Sequence, residues 1–152
     1  MKVKTCTVKE LEINYRPGNY YIKQQSICNS KDAHAAIKRS FDLNTIACQE
    51  QMIVMYLDHA NHPKGILKLS KGGVSSTVAD IRLILSVGLK CLASSFIIAH
   101  NHPSGNLEAS EQDKRLTRQI FEAGKLVELL LMDHLIVGPN LSYLSFKDEG
   151  IL

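Results

Sequence analysis

Phe96-Ile-Ile-Ala-His-Asn-His-Pro-Ser-Gly-Asn-Leu-Glu-Ala-Ser-Glu-Gln-Asp113 leads from an apolar run into a helix start. The first four residues read as the end of a short buried strand, Ser95 to Ala99. Pro103 lacks a backbone donor and, with Gly105, favours a loop. Ser110 is placed to cap a helix running to about Leu126, with Asp113 at its third position. Residues two apart share a face of an extended chain. If the chain stays extended past Ala99, His100 and His102 therefore project to one side, and the loop returns Asp113 to them. Two imidazoles and a carboxylate make a three-ligand set for a borderline metal such as zinc, with a fourth position for water. A strand end beside a helix start is where open α/β sheets place function.

The same residues have plainer readings. Asn-His-Pro occurs in ordinary turns, and Ser110 with Asp113 fits a capping box in which Asp replaces the usual Glu or Gln. From spacing alone, ligation and capping are evenly matched. Asp58-His-Ala-Asn-His-Pro63 serves as an internal control. Its histidines stand three apart in a polar turn, and His59 and His62 read as surface.

Working outward, Gln51–Leu57 is apolar at nearly every position, as in strands buried on both faces. A turn from Asp58 to Gly65 leads to a short strand, Ile66–Leu69, ended by Lys71-Gly-Gly73. Thr77 caps a helix to about Ala93, with a polar stripe of Arg82, Ser86 and Lys90 opposite Val78, Ile81, Leu85 and Leu89. A helix so apolar is expected to be central. Ser30 caps a helix through about Phe41, with Ala33, Ile37 and Phe41 on one face. In the helix from Ser110, Leu116, Ile120 and Val127 are expected inward, and Lys114, Arg118 and Glu122 outward. Leu129 to Val137 is another buried strand, interrupted by Asp133-His134. That buried polar pair needs partners: either a structural hydrogen bond or a metal ligand to orient. Gly138-Pro-Asn140 is a turn and Tyr143–Phe146 a last strand. Near the start, Lys2–Val8 alternates like a strand and Arg16–Asn19 reads as a turn. Strands with interleaved helices predict an α/β sheet sandwiched by helices.

A chain of 152 residues suits one domain with its own core. The net charge of +3 is spread along the chain, as at Lys38-Arg39, Lys64, Lys68 and Lys114-Arg115, and reads as solvated surface. Cys6, Cys28, Cys48 and Cys91 form no Cys-x-x-Cys pair, which argues against a cysteine zinc site. No apolar run approaches the roughly 20 residues of a membrane span. With no signal peptide visible, reduced thiols and a cytoplasmic location are expected.

His100-Asn-His-Pro-Ser-Gly105 followed by Ser110-Glu-Gln-Asp113 resembles the signature of RadC-like proteins, members of the JAMM (MPN+, JAB) metalloprotease superfamily. That motif is a distant Glu, then His-x-His-Pro, then Ser-x-x-Asp, with ten residues between the second His and the Asp, as here. Glu50, Gly72-Gly73, the helix from Thr77, Asp133-His134-Leu-Ile136 and Ser145-Phe-Lys-Asp-Glu-Gly150 also fall where RadC-like chains carry similar residues. The resemblance covers roughly residues 30–152 and leaves 1–29 as an N-terminal arm. It implies a JAB/MPN fold, a three-layer α/β/α sandwich of the cytidine-deaminase-like kind with a mixed sheet. It further implies a zinc-dependent hydrolase acting on a peptide or isopeptide-like amide. By the same resemblance His100, His102 and Asp113 are the Zn2+ ligands, Glu50 is the general base, and Ser110 helps to polarise or position the substrate carbonyl. The chemistry is coherent: zinc acidifies water toward neutrality, and a nearby carboxylate moves the proton to the leaving amine.

Two departures stand out, the first bearing on transfer of a ubiquitin-type substrate and the second on the rigidity of the loop. Asn101 stands where the eukaryotic isopeptidases carry Ser or Thr, and Ala109 where many members have Pro. Residues 1–29 are too short for the helix-hairpin-helix module of longer RadC-like proteins, so the expected DNA association is weak. The alternative function is a DNA-repair-associated accessory protein with a structural or vestigial metal site. A zinc nucleobase deaminase would need His-x-Glu and a downstream Pro-Cys-x-x-Cys, which are absent from the sequence. Substrate identity and a homodimer both stay open.

Overall fold

The structure is a computed structural model and describes residues 26–72 and 79–152. The amino-terminal strand and turn, and Thr77, lie outside the described residues. Among the described residues eight regular elements carry the fold. They are α1 (Ser30–Ile37), β1 (Gln51–Leu57), β2 (Pro63–Lys71), α2 (Ile81–Lys90), β3 (Ser95–Asn101), α3 (Glu111–Leu126), β4 (Leu130–Val137) and β5 (Tyr143–Ser145). A short 3-10 turn, Lys38–Ser40, extends α1.

The strands form one mixed sheet in the order β2-β1-β3-β4-β5. Only β3 and β4 run parallel, joined through α3; the other neighbours are antiparallel. Strands β1 and β3 are buried at every position, which explains their unbroken apolar sequence. Their side chains alternate between two clusters. Ile53, Met55, Leu57, Ile97 and Ala99 pack with Ala33 and Ile37 of α1 and with Ile27, Phe41 and Ile46. Val54, Tyr56, Phe96 and Ile98 pack on the other face, with Ile84 of α2 and Ile120 of α3. The result is the expected α/β/α sandwich, with α1 on one side and α2 and α3 on the other.

Several element boundaries differ from expectation. Helix α1 is capped by Asn29, whose side chain accepts from Asp32 N–H, and Ser30 is its first residue. Helix α2 starts at Ile81 on an Asp80 cap and ends at Lys90. It lies in an outer layer rather than centrally: Ile84 and Gly88 are buried, while Leu83 and Leu89 are exposed. Gly88 lets Leu129 and Tyr56 come close, and Ile81, Leu85 and Val87 pack at the edges of that contact. On α3 the buried stripe is Thr117, Ile120 and Gly124, and Val127 is an exposed C-cap. Strand β2 reaches back to Pro63, into the expected turn.

No helix among the described residues is long and apolar enough to cross a membrane. Cys28, Cys48 and Cys91 are free thiols.

Candidate metal centre

Strand β3 extends to Asn101, and His102 N–H still bonds the Val137 carbonyl of β4 at 3.0 Å. Extended geometry therefore persists through both histidines, which share the face that carries Phe96 and Ile98. Helix α3 begins nine residues later on the same side. His100 Nε2 lies 2.9 Å from His102 Nε2 and 3.2 Å from Asp113 Oδ1. His102 Nε2 lies 3.6 Å from Asp113 Oδ2. Donor atoms of a tetrahedral zinc site with bonds of about 2.0–2.1 Å stand about 3.3 Å apart. The three separations bracket that value, and the cluster could hold a metal ion.

The hydrogen bonds around the cluster test this fit. His102 Nδ1 lies 2.7 Å from the Asn106 carbonyl, which can only accept. The proton of a neutral His102 ring is therefore on Nδ1, and the Nε2 lone pair faces inward. Asp113 is held from behind: its Oδ2 accepts from Ser110 N–H and from the Ser110 hydroxyl, while Ser110 Oγ accepts from Asp113 N–H. The capping box thus aims the carboxylate, with Oδ1 toward His100. Capping and ligation, alternatives in the sequence, are compatible in this one arrangement. With the His102 ring neutral, its Nε2 lone pair joins the Asp113 carboxylate as an acceptor set that a cation completes.

Electrostatics agree. Burial pushes the Asp113 carboxyl up, but its contacts with His100 and His102 outweigh burial and hold it well below the usual carboxylate range. The Asp113 contact raises His102 above the ordinary imidazole value, against burial, with a smaller contribution from Glu50.

Glu50 immediately precedes β1, half-buried. Met52 pairs with His100 across β1 and β3, and continuing that antiparallel register sets Glu50 opposite His102. Even-numbered positions of β1 face the α2–α3 side, so Glu50 is in phase with the cluster. Its backbone is fixed by Asn101, the residue between the histidines. Asn101 Oδ1 accepts from Gln51 N–H at 2.7 Å, and its Nδ2 donates to the carbonyls of Gln49 and Ile46. One buried amide therefore grips the chain on both sides of Glu50. Gln51 adds bonds to Asp42 and Thr45.

A family model described as RadC-like JAB domain matches residues 27–151. The chain belongs to the RadC-like JAB domain family. Similar curated proteins include a UPF0758 protein of Porphyromonas gingivalis, 41% identical over 143 residues, which cover 93% of this chain and 62% of that protein. A UPF0758 protein of Flavobacterium johnsoniae is 37% identical over 130 residues, covering 86% of this chain and 55% of the relative. One from Haemophilus ducreyi is 37% identical over 131 residues, covering 86% and 58%. The chain therefore spans roughly three fifths of the length of these relatives.

In this RadC-like JAB domain the structure brings His100, His102 and Asp113 together and sets Glu50 beside them. Ser110 is spent on Asp113: its hydroxyl donates to the carboxylate. The control turn behaves as surface, with His59 exposed, the half-buried Asp58 and His62 at 3.5 Å and neither histidine part of the cluster. Sequence reasoning assigned no role to Asn101 or Thr117 and left Asp133-His134 undecided. Asp133 is a structural fastener: it accepts from the Ser145 hydroxyl at 2.7 Å, Lys147 N–H at 3.1 Å and His134 N–H at 2.8 Å. Burial nonetheless pushes its carboxyl pKa up. His134 is fully buried, stacked on Phe146, and touches His100. Burial holds its imidazole far below the ordinary value. The available signal was a polar residue within an apolar stripe, Thr117 on α3 and His134 on β4.

Proposed function

We propose that this domain is a zinc-dependent amide hydrolase acting on a peptide or isopeptide-like bond. The observation that carries the reading is the inward convergence of His100 Nε2, His102 Nε2 and Asp113 Oδ1, with the His102 ring proton directed away from the centre. Two imidazoles and one carboxylate match the ligand set of catalytic zinc and leave a coordination position for substrate chemistry. When bound, zinc supplies Lewis acidity toward water and a carbonyl oxygen.

The chain's own residues do the rest. Glu50 takes the proton of the attacking water and returns it to the leaving nitrogen, so the products are a carboxylate and an amine. Asn101 and Gln51 hold the backbone on either side of that carboxylate, which keeps the base at a fixed height above the cluster. Ser110 keeps Asp113 oriented, and positioning of the substrate carbonyl would come second to that task.

Elemental analysis of the purified chain should find about one zinc per molecule. Glu50→Gln should retain that zinc and lose hydrolysis of a quenched-fluorescence peptide library by about 100-fold or more. A Glu50→Gln protein cleaving the library at the wild-type rate would remove Glu50 from the chemistry. A wild-type chain that takes up no zinc would remove the metal.

A further inference from the structure

The buried polar residues behind the cluster form a directed chain of hydrogen bonds. It starts at the backbone carbonyl of Asp113, which can only accept. The Thr117 hydroxyl, one helical turn on, donates to that carbonyl at 2.6 Å. Its single proton is then used, so toward His134 Nδ1, also 2.6 Å away, the Thr117 oxygen accepts. His134 therefore carries a proton on Nδ1. The ring is fully buried against Phe146, and no carboxylate hydrogen-bonds it among the described residues, so burial disfavours its charged form. Neutral His134 then has its lone pair on Nε2, 2.8 Å from His100 Nδ1. His100 must donate there from Nδ1, which leaves its Nε2 lone pair facing His102 and Asp113.

We propose that Thr117 and His134 are positioning residues that set the tautomer and ring orientation of His100, starting from the main chain of Asp113. The inference rests on the metal reading above. It goes further by tying two ligands from different elements to one proton arrangement: β3 supplies His100 and α3 supplies Asp113 and Thr117. A backbone detail makes it work. Phe96 pairs with Leu131 and Ile97 with Asp133, so Met132 is an extra residue in β4. This bulge reverses the phase of the strand. Leu131 faces the α2–α3 side before it, and His134 faces that side after it, while Asp133 turns away to Ser145. Without the bulge, the strand would present Asp133 where His134 now stands. Groups behind metal-ligating histidines commonly fix the tautomer in this way.

The test uses the full chain and zinc itself. Thr117→Val keeps the shape of the side chain and removes the hydroxyl. The Asp113 carbonyl keeps its helical N–H partner, so the helix should stand. Zinc affinity by chelator competition should fall about 10–100-fold. Thr117→Ser, which restores the hydroxyl, should recover most of it. Nitrogen-15 NMR of wild type should show His134 protonated on Nδ1, the less common tautomer of a free imidazole, and this measurement depends on no variant. A purely structural role would lower the melting temperature of the metal-free variant and leave zinc affinity per folded molecule unchanged. Equal zinc affinity in wild type and Thr117→Val, or a His134 protonated on Nε2, would overturn the assignment while leaving the metal reading intact. A wild-type chain without zinc affinity would overturn both.

Discussion

At the scale of single residues, His102 links acidity to the centre with two opposite signs. Asp113 raises its pKa above the ordinary value of 6.5, so the metal-free folded state holds the proton more tightly than the unfolded chain. The resulting stabilisation is complete below 6.5 and is lost as pH rises through the raised value. Metal binding runs the other way, because proton and metal compete for Nε2. Zinc affinity should hold steady above the raised pKa and fall by about tenfold per pH unit below it, as one proton is displaced. Chelator competition across that range, beside thermal melts of metal-free protein, should give opposing slopes; parallel slopes would mean His102 is not a ligand. The clustering of His100, His102 and Asp113 was legible in sequence because it depends on residue type and a short spacing. Glu50 was legible through the family resemblance alone, since β1 pairing brings it from 50 residues away in the chain. The role of Asn101 was not legible: it depends on a register that sets residue 101 against residue 51, and no local pattern encodes that.

Among elements, strands β1, β3 and β4 were readable because burial on both faces leaves long apolar runs. Helix α2 was misread because its apolar residues nearly encircle it, while only the side of Ile84 and Gly88 is fully buried and Gly88 admits Leu129 and Tyr56 there. The same device operates more severely on α3. A Cβ on Gly124 would lie 2.4 Å from the Leu129 carbonyl oxygen, a backbone atom held by the turn into β4. Leu129 N–H closes that turn on the Gly124 carbonyl at 2.9 Å. Gly124→Ala should therefore destabilise the fold by about 1–3 kcal/mol, seen as a lower midpoint in urea unfolding. An unchanged midpoint would show that the α3–β4 turn yields. The bulge at Met132 was likewise invisible to alternation counting, which assigns Asp133 and not His134 to the side of Leu131. That is why the Asp133-His134 pair could not be resolved from sequence.

For the whole molecule, the C-terminal stretch is part of the frame rather than a tail. Phe146 is buried beneath His134, and Asp133 fastens Ser145 and Lys147 to the sheet. Asp133→Ala leaves one hydroxyl and two N–H groups without their acceptor and should cost about 3 kcal/mol of stability, measured by thermal unfolding. Zinc affinity of the folded fraction should be far less affected than in Thr117→Val, which separates frame from centre. The loop from Pro103 to Ala109 has a different dependence. Besides Gly105 N–H on the His102 carbonyl, its own Asn106 turns and the packing of Leu107 and Ala109 against Ile136 and Phe146, it is clasped by the His102 ring through Nδ1. With zinc on the opposite nitrogen, that ring is pinned at both ends, and the loop is tied to the sheet through a ligand. Stripping the metal frees one end, so a broad-specificity protease should nick the loop faster in chelator-treated protein than in zinc-loaded protein. On the proposed reading His100→Ala and His102→Ala each remove one ligand, yet they should differ: the second also unclasps the loop. Cleavage between residues 103 and 109 thus becomes an occupancy gauge that needs no knowledge of the substrate.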